Sequence, residues 1–142
     1  MDTNEIEVSV MASVRPTEST EKVARAIENL FFGLDLTIGE SVVEGRGGID
    51  SLRTFHRLLR EQKILDTARS VLLRGKIGDD IQFRLGKQAA TVSRINFPPE
   101  EEMLGSIHVN INGPDLLVDW LAPTTAEGKP IEEIELELED HV

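Results

Sequence analysis

IEVSVMASV, residues 6–14, alternates five aliphatic side chains with Glu7, Ser9, Met11 and Ser13. A period of two places alternate side chains on opposite faces of a β-strand. One face of this strand is therefore predicted to pack on a core, and the other face to meet solvent.

A helix is predicted to follow this strand. Thr17 is expected to be its N-cap, and Gly33 lies where a C-terminal cap belongs. The apolar stripe of this helix is spaced at i, i+4, i+7 and i+8, at Val23, Ile27, Leu30 and Phe31. Period two resumes over 34–38, and the GRGG segment 45–48 predicts a flexible loop. Asp50 or Ser51 is expected to cap the next helix.

Residues 50–74 carry two apolar stripes that one straight helix cannot bury together. At ~100° per residue, the apolar side chains of the first half share one side of the helical wheel, and those of the second half lie almost opposite. We therefore predict two helices, over 50–62 and 64–74, with a bend near Lys63.

The remainder of the chain is predicted to be mostly sheet. A helical turn is expected over 86–90 and a short helix over 115–121, while 131–142 reads as an acidic edge strand or tail. The strands are predicted at 81–85, 94–97 and 107–111. This order of elements predicts a single domain over 1–142 of the α+β class, with two layers: a largely antiparallel sheet and helices on one face.

Composition argues against several functions. The chain has 142 residues and no cysteine, which excludes a disulfide framework, a thiolate zinc site and a cysteine nucleophile. Its three histidines lack metal-ligand spacing, and no nucleotide-binding or nucleophile-elbow motif occurs. We expect no cofactor and no metal, and a metal-dependent nuclease is the weakest alternative. The absence of a signal peptide or a long apolar run predicts a cytoplasmic protein without a membrane contact.

The charge is unevenly distributed. The net charge is −11, yet eleven of the fifteen basic residues lie within 46–97, between two acidic flanks. A local basic band can bind phosphates on an acidic protein, because salt limits the reach of each charge to about 8–10 Å. Arg53, Arg57 and Arg60 share one narrow arc of the predicted second helix, and Lys63 follows at its end.

Three predicted strands also share a polar parity. If those strands are adjacent, one sheet face opposite the helices carries these residues: Gln82, Arg84, Arg94, Asn96, His108, Asn110 and Asn112. Such a face can contact RNA phosphates and 2′-hydroxyl groups. Aromatic residues are only 4% of the chain, and Phe83 and Phe97 have the apolar parity, so a base-stacking platform is not expected.

Several strings of the sequence resemble an archaeal family of uncharacterised proteins, catalogued as a predicted RNA-binding protein or predicted exosome subunit. The strings are ILDTAR at 64–69, FRLGKQAA at 83–90, LGSI at 104–107, DWLAP at 119–123 and GKPI at 128–131. The resemblance implies a cytoplasmic archaeal protein that binds RNA, with a fold like that of the fifth large-subunit ribosomal protein. The polar members of the matching strings are Gln62, Lys63, Arg69, Lys87 and Gln88.

These observations predict a protein that binds structured RNA without catalysis, and that contacts the phosphate backbone through its basic central band. The predicted contact residues are Arg53, Arg57, Arg60, Lys63, Arg69, Arg84, Lys87, Gln88 and Arg94. The alternative is an assembly protein that pairs its basic band with an acidic partner. That partner would be the acidic tail of a second copy, in a homodimer, or a component of an RNA-processing complex.

Overall fold

The computed structural model describes residues 6–99 and 105–135. Five helices are labelled α1 (Thr20–Leu30), α2 (Arg53–Glu61), α3 (Leu65–Arg74), α4 (Lys87–Ala90) and α5 (Leu116–Leu121). The strands are β1 (Glu7–Ser13), β2 (Asp35–Ile38), β3 (Val42–Gly47), β4 (Lys76–Ile77), β5 (Asp80–Gly86), β6 (Ser106–Asn112), β7 (Thr125–Ala126) and β8 (Lys129–Pro130). A 3₁₀ turn, Ile49–Leu52, leads into α2.

Six of these strands form one sheet in the order β2-β3-β1-β6-β5-β4, and every neighbouring pair is antiparallel. The other two strands form a small separate hairpin. The predicted α+β class and the antiparallel sheet are confirmed. The likeness to the fifth large-subunit ribosomal protein stays a prediction, as does the single domain over 1–142.

The core lies between the helices and one face of the sheet. Val8, Val10 and Ala12 of β1 are at most 2% exposed, and they point the same way as the buried residues of β5 and β6. Phe55 of α2 stacks between Phe31 and Phe83, with ring centroids 5.3 and 5.6 Å apart. Offset aromatic pairs add about 0.5–1.5 kcal/mol each beyond the area that they bury. The aromatic rings are thus committed to the core, as the parity of Phe83 predicted.

The predicted bend between the second and third helices is confirmed. Lys63 adopts the left-handed conformation, with φ of 58°. The N–H of Ile64 donates to the carbonyl of Leu59 at 3.1 Å, and α3 starts at the next residue. This reversal lets the two apolar stripes face the same core.

The prediction of a flexible loop at 45–48 is wrong, because most of that segment belongs to β3. A β-carbon at Gly45 would lie 2.8 Å from the side chain of Leu36, and one at Gly47 would lie 2.9 Å from Leu34. The two glycines therefore leave room for the side chains of Leu36 and Leu34, and the strand pairing of β3 continues through them.

The predicted strand at 94–97 is also wrong. This segment is extended, but it makes no strand pairing; instead it is held by the side chain of Gln62 and by the Gly86 N–H, which donates to Asn96 at 2.8 Å. The capping predictions need correction too. Ser19, rather than Thr17, accepts from the Lys22 N–H at the start of α1. Neither Asp50 nor Ser51 is an N-cap, because Gly48 holds that position for the 3₁₀ turn and Leu52 holds it for α2.

The C-terminal region is described only in part. Residues 131–135 form no strand, and 136–142 lie outside the described residues, as do the three glutamates at 100–102. None of the helices within the described ranges is long and apolar enough to cross a bilayer.

Candidate nucleic-acid interface

The outer arc of α2 carries two exposed arginines. Arg53 Nε lies 3.0 Å from Asp50 Oδ1, and Arg57 Nη1 lies 2.6 Å from Glu61 Oε2. Both arginine side chains are about half exposed, at 47% and 57%. Solvated pairs at this spacing contribute about 0.3–0.5 kcal/mol, so a phosphate can replace the carboxylate at little cost. Arg53 and Arg57 are therefore exposed on the same side of α2, as the helical wheel predicted.

The C-terminal end of α2 brings together two further cations that are distant in sequence. The side-chain amide of Gln62 donates to the carbonyl of Ile95 at 3.0 Å and accepts from the N–H of Ile95 at 2.7 Å. Lys63 and Arg94 adjoin these two residues in the chain. Both side chains are exposed, and neither has an ion-pair partner among residues 6–99 and 105–135.

The segment that carries Arg94 is fixed on a second side by α1. Asn29 Nδ2 donates to the carbonyl of Ala90, the last residue of the short helix α4, at 2.9 Å. Ser93 has φ of 59°, and this left-handed residue turns the chain back toward α2. Gln88 is exposed on α4, at the start of the same segment. The segment between α4 and Ile95 is therefore a loop that hydrogen bonds attach to α1 at one end and to Gln62 at the other.

Arg60 differs from its neighbours on the helix, because all five of its N–H donors are used within the chain. Three hydrogen bonds go to backbone carbonyls, at 2.9 Å to His56, 3.0 Å to Leu121 and 3.1 Å to Trp120. The other two go to the carboxylate of Glu133, each at 2.7 Å. The side chain is only 19% exposed. Arg60 thus joins α2, the end of α5 and the C-terminal segment.

Two other predicted contact residues are held by internal partners. Arg69 Nη1 donates to Asp119 Oδ1 at 2.9 Å and to the carbonyl of Ala122 at 3.0 Å, which ties α3 to α5. Lys87 is 5% exposed, and its ammonium donates to the carbonyl of Ser13 and to the Glu18 carboxylate, at 2.8 and 3.0 Å.

The carboxylate that faces Lys87 has a shifted pKa. Partial burial raises the pKa of Glu18, but hydrogen bonds from the Arg15 N–H and from Lys87 outweigh this effect and hold the pKa below its usual range. The Glu18 carboxylate is therefore ionised at neutral pH, and its contact with Lys87 joins the end of β1 and the chain just before α1 to α4.

His56 packs on Trp120, with ring centroids 4.5 Å apart. Burial, followed by the positive charge of Arg60, lowers the pKa of His56 to about 4. The ring is therefore neutral at physiological pH. His56 therefore contributes packing between α2 and α5.

The face of the sheet that carries no helix is polar, as predicted for β5 and β6. Two cross-strand rows run over it, one through Asp35, Arg46, Ser9, Asn110 and Gln82, and the other through Thr37, Glu44, Met11, His108 and Arg84. A shallow depression of about 500 Å³ lies between these rows. Arg94 and Asn96 add no strand to this face, and the side chain of Asn96 lies instead beside Gly86 at the end of β5, where a β-carbon would meet its Oδ1 at 3.0 Å.

Charge on this face is mixed. Arg84 Nη2 donates to the carbonyl of Pro99 at 2.9 Å, and Arg46 projects from β3 on the same side of the sheet. Glu44 lies two residues from Arg46, and Asp80 accepts from the amides of Asn110 and Asn112 at 3.3 and 3.0 Å. No pattern in the sequence indicated Arg46 as a sheet residue, because glycines flank it on both sides and mimic a loop.

The predicted basic band thus divides among several places. Arg53 and Arg57 lie on the outer arc of α2, and Lys63 and Arg94 adjoin the Gln62–Ile95 contact at its end. The sheet separates Arg84 from α2, while Arg60, Arg69 and Lys87 are used in internal contacts. Within the described ranges, no group of three or more histidine, aspartate or glutamate side chains is arranged to hold a metal ion.

The fold and this surface define an α+β protein with one polar, helix-free sheet face and exposed cations beside α2. A family model described as RNA binding matches residues 7–112. A UPF0201 protein of Sulfurisphaera tokodaii is 42% identical over 133 residues, which cover 87% of this chain and 92% of that protein. The chain belongs to this archaeal UPF0201 family.

Other relatives agree with this assignment. A UPF0200/UPF0201 protein of Archaeoglobus fulgidus is 41% identical over 134 residues, and the match spans 92% of this chain but only 41% of that longer protein. The crystal structure of a UPF0201 protein from Methanococcus jannaschii superimposes with a TM-score of 0.77 at 36% identity, and covers 89% of this chain and 99% of that one. A second UPF0201 crystal structure gives a TM-score of 0.78 at 41% identity, over 88% of this chain and 99% of the other.

Proposed function

We propose that the protein binds structured RNA without catalysing a reaction, and that it contacts phosphates through the exposed cations on and beside α2. This α2 cationic surface comprises Arg53, Arg57, Lys63 and Arg94, with Gln88 at its border. The observation that carries the proposal is the double hydrogen bond between Gln62 and Ile95, because the exposed cations Lys63 and Arg94 directly adjoin these two residues in the chain. The RNA binding description of the family model supports the same conclusion.

The chemistry of these side chains suits a phosphate backbone. Guanidinium groups match phosphate oxygens with paired N–H donors, and lysine adds a mobile point charge. The aromatic rings of the chain are mostly in the core, so recognition by base stacking is not part of the proposal. Binding through phosphates and shape follows, which is the usual mode for double-stranded RNA.

Arg60 is not part of the α2 cationic surface, because all five of its N–H groups are donated within the chain. Arg69 and Lys87 have structural roles in this proposal, in contrast to the contact roles expected for them. Their donors already have internal acceptors, and recruiting them would cost those hydrogen bonds. Arg84 belongs to a separate surface, because the sheet lies between it and α2. We propose that it contributes, with Arg46, a second and weaker contact.

The experiment compares two double charge reversals by fluorescence anisotropy with a labelled RNA hairpin. Lys63→Glu with Arg94→Glu alters the α2 cationic surface. Lys22→Glu with Arg74→Glu changes the net charge equally at exposed sites on α1 and at the far end of α3. We expect the first pair to weaken binding by about tenfold or more relative to the second pair. Equal affinities for the two variants would contradict the proposal.

The alternative proposal, an assembly protein that forms a homodimer or joins an RNA-processing complex in the cytoplasm, has a separate test. The Arg60–Glu133 contact pairs a base of the central band with an acid of the C-terminal segment inside one chain. A homodimer joined through this segment must therefore exchange it between copies. Light scattering after size-exclusion chromatography, on the full chain and on one ending before Ile131, would reveal a dimer that needs the segment.

A further inference from the structure

We infer that Arg60 forms a phosphate-binding site which Glu133 occupies as an internal mimic of an RNA phosphate. The inference rests on the proposed function and deepens it, since it names one site on α2 and the group that occludes it. The segment that contains Glu133 follows the β7–β8 hairpin and returns to α2.

The guanidinium of Arg60 is held in place before any ligand arrives. The carbonyls of His56, Leu121 and Trp120 accept three of its five N–H groups. The remaining two, on Nε and Nη2, point together along one edge of the planar group. This edge is the fork that binds carboxylates and phosphates with two parallel hydrogen bonds.

Glu133 fills that fork, with both of its oxygens 2.7 Å from the two donors. Its carboxylate is 46% exposed, so the edge of the fork reaches the protein surface. A phosphate is also an anion with two oxygens that accept paired N–H donors, so it can replace the carboxylate on the same edge of Arg60. The displaced segment would carry its neighbouring glutamates away from α2 as well.

The position of the fork supports a shared ligand with the α2 cationic surface. Arg57 lies about one turn and Arg53 about two turns before Arg60 on the same arc of the helix. An RNA backbone that contacts these two exposed side chains passes the edge of Arg60. Displacing Glu133 therefore adds one charge-assisted contact and removes a negative charge from its path.

The test compares Glu133→Gln with Glu132→Gln, which removes the same charge from the exposed preceding residue. Glutamine keeps the shape of Glu133 but cannot hold the fork with two charge-assisted bonds. We expect Glu133→Gln to bind a labelled RNA hairpin about fivefold more tightly than wild type, and Glu132→Gln to gain less than about twofold. Equal gains in the two variants would overturn the inference while leaving the proposed function standing.

A second readout does not depend on RNA. The Nε–Hε signal of Arg60 in an NMR spectrum reports what fills the fork. Inorganic phosphate should shift this signal in Glu133→Gln and leave it in place in wild type and in Glu132→Gln. An unresponsive signal in Glu133→Gln overturns the phosphate site. If the signal responds in Glu133→Gln but neither wild type nor the two variants bind RNA, the phosphate site is supported and the proposed function is contradicted.

Discussion

Lys87 and Glu18 form an ion pair at 3.0 Å in which the lysine is almost completely buried and the glutamate is partly exposed. The lysine also donates to the carbonyl of Ser13, so one ammonium links β1, α4 and the chain just before α1. Such a residue stabilises the fold and has no free donor edge for a ligand.

Replacing Lys87 should therefore destabilise the protein. Lys87→Met leaves the Ser13 carbonyl without its partner, and we expect the free energy of unfolding to fall by about 1–3 kcal/mol. The check is urea unfolding at neutral pH, with Lys22→Met as the control. Lys22 is exposed, and its replacement should change stability by no more than about 0.5 kcal/mol. Equal stabilities of the two variants would show that the buried pair contributes nothing.

The contact between Gln62 and Ile95 gives a second prediction, which concerns both stability and binding. Gln62→Ala removes both hydrogen bonds, and we expect a loss of about 1–3 kcal/mol together with weaker RNA binding, because Arg94 is no longer held beside Lys63. Gln82→Ala, on the exposed side of β5, is the matched control. An RNA affinity that Gln62→Ala leaves unchanged would argue against Arg94 as a phosphate contact.

His56 predicts a particular pH dependence of stability. Its pKa falls from 6.5 to about 4 in the folded protein, so folding favours the neutral ring. This contribution is fully present above pH 6.5 and is lost as the pH falls toward 4, because the unfolded chain takes up the proton first. After a reduction for solvent screening of this half-buried ring, we expect the free energy of unfolding to fall by about 1–2 kcal/mol over this pH range.

The measurement is the free energy of unfolding of wild type and His56→Gln across this pH range. The stability of wild type should fall relative to the variant between pH 6.5 and pH 4. Two parallel curves would refute the expected shift, as would an NMR titration of the His56 ring near its ordinary pKa.

Glu133 affects the stability of the fold at a lower pH than His56 does. Hydrogen bonds from Arg60 lower its pKa, although partial burial opposes them, so the carboxylate stabilises the fold at neutral pH. That stability should be lost as the pH falls from the ordinary glutamate value of 4.5 through the lower folded value. Urea unfolding of Glu133→Gln should show a shallower acid limb than that of Glu132→Gln, and identical limbs would contradict the role of the Arg60 contact.

Much of the fold follows from local patterns in the sequence. The alternation in β1, β5 and β6 identifies their buried faces, and the opposed stripes of 50–74 require the break at Lys63. The second half of β3 was mistaken for a loop because it contains Gly45 and Gly47. These glycines leave space for Leu36 of β2 and for Leu34 just before it, which becomes clear only once the strand pairing is known. The alternation at 94–97 was misleading, since the backbone there bonds to the Gln62 side chain and to Gly86 at the end of β5 without forming a strand ladder.

The site was harder to predict than the fold. The helical wheel correctly grouped Arg53, Arg57 and Arg60, but it carries no information on contacts that are distant in sequence. The acceptors of Arg60 at Trp120, Leu121 and Glu133 lie about sixty or more residues away. The helical wheel therefore cannot distinguish Arg60, whose N–H donors all have internal acceptors, from the exposed Arg53 and Arg57.

The salt dependence of RNA binding tests the central claim most directly. Each phosphate contact contributes about 0.7–0.9 to the slope of log affinity against log salt. Lys63→Gln and Arg94→Gln should each reduce that slope by about this amount, while Arg74→Gln should leave it unchanged. If all three variants keep the wild-type slope, the α2 cationic surface does not bind RNA phosphates.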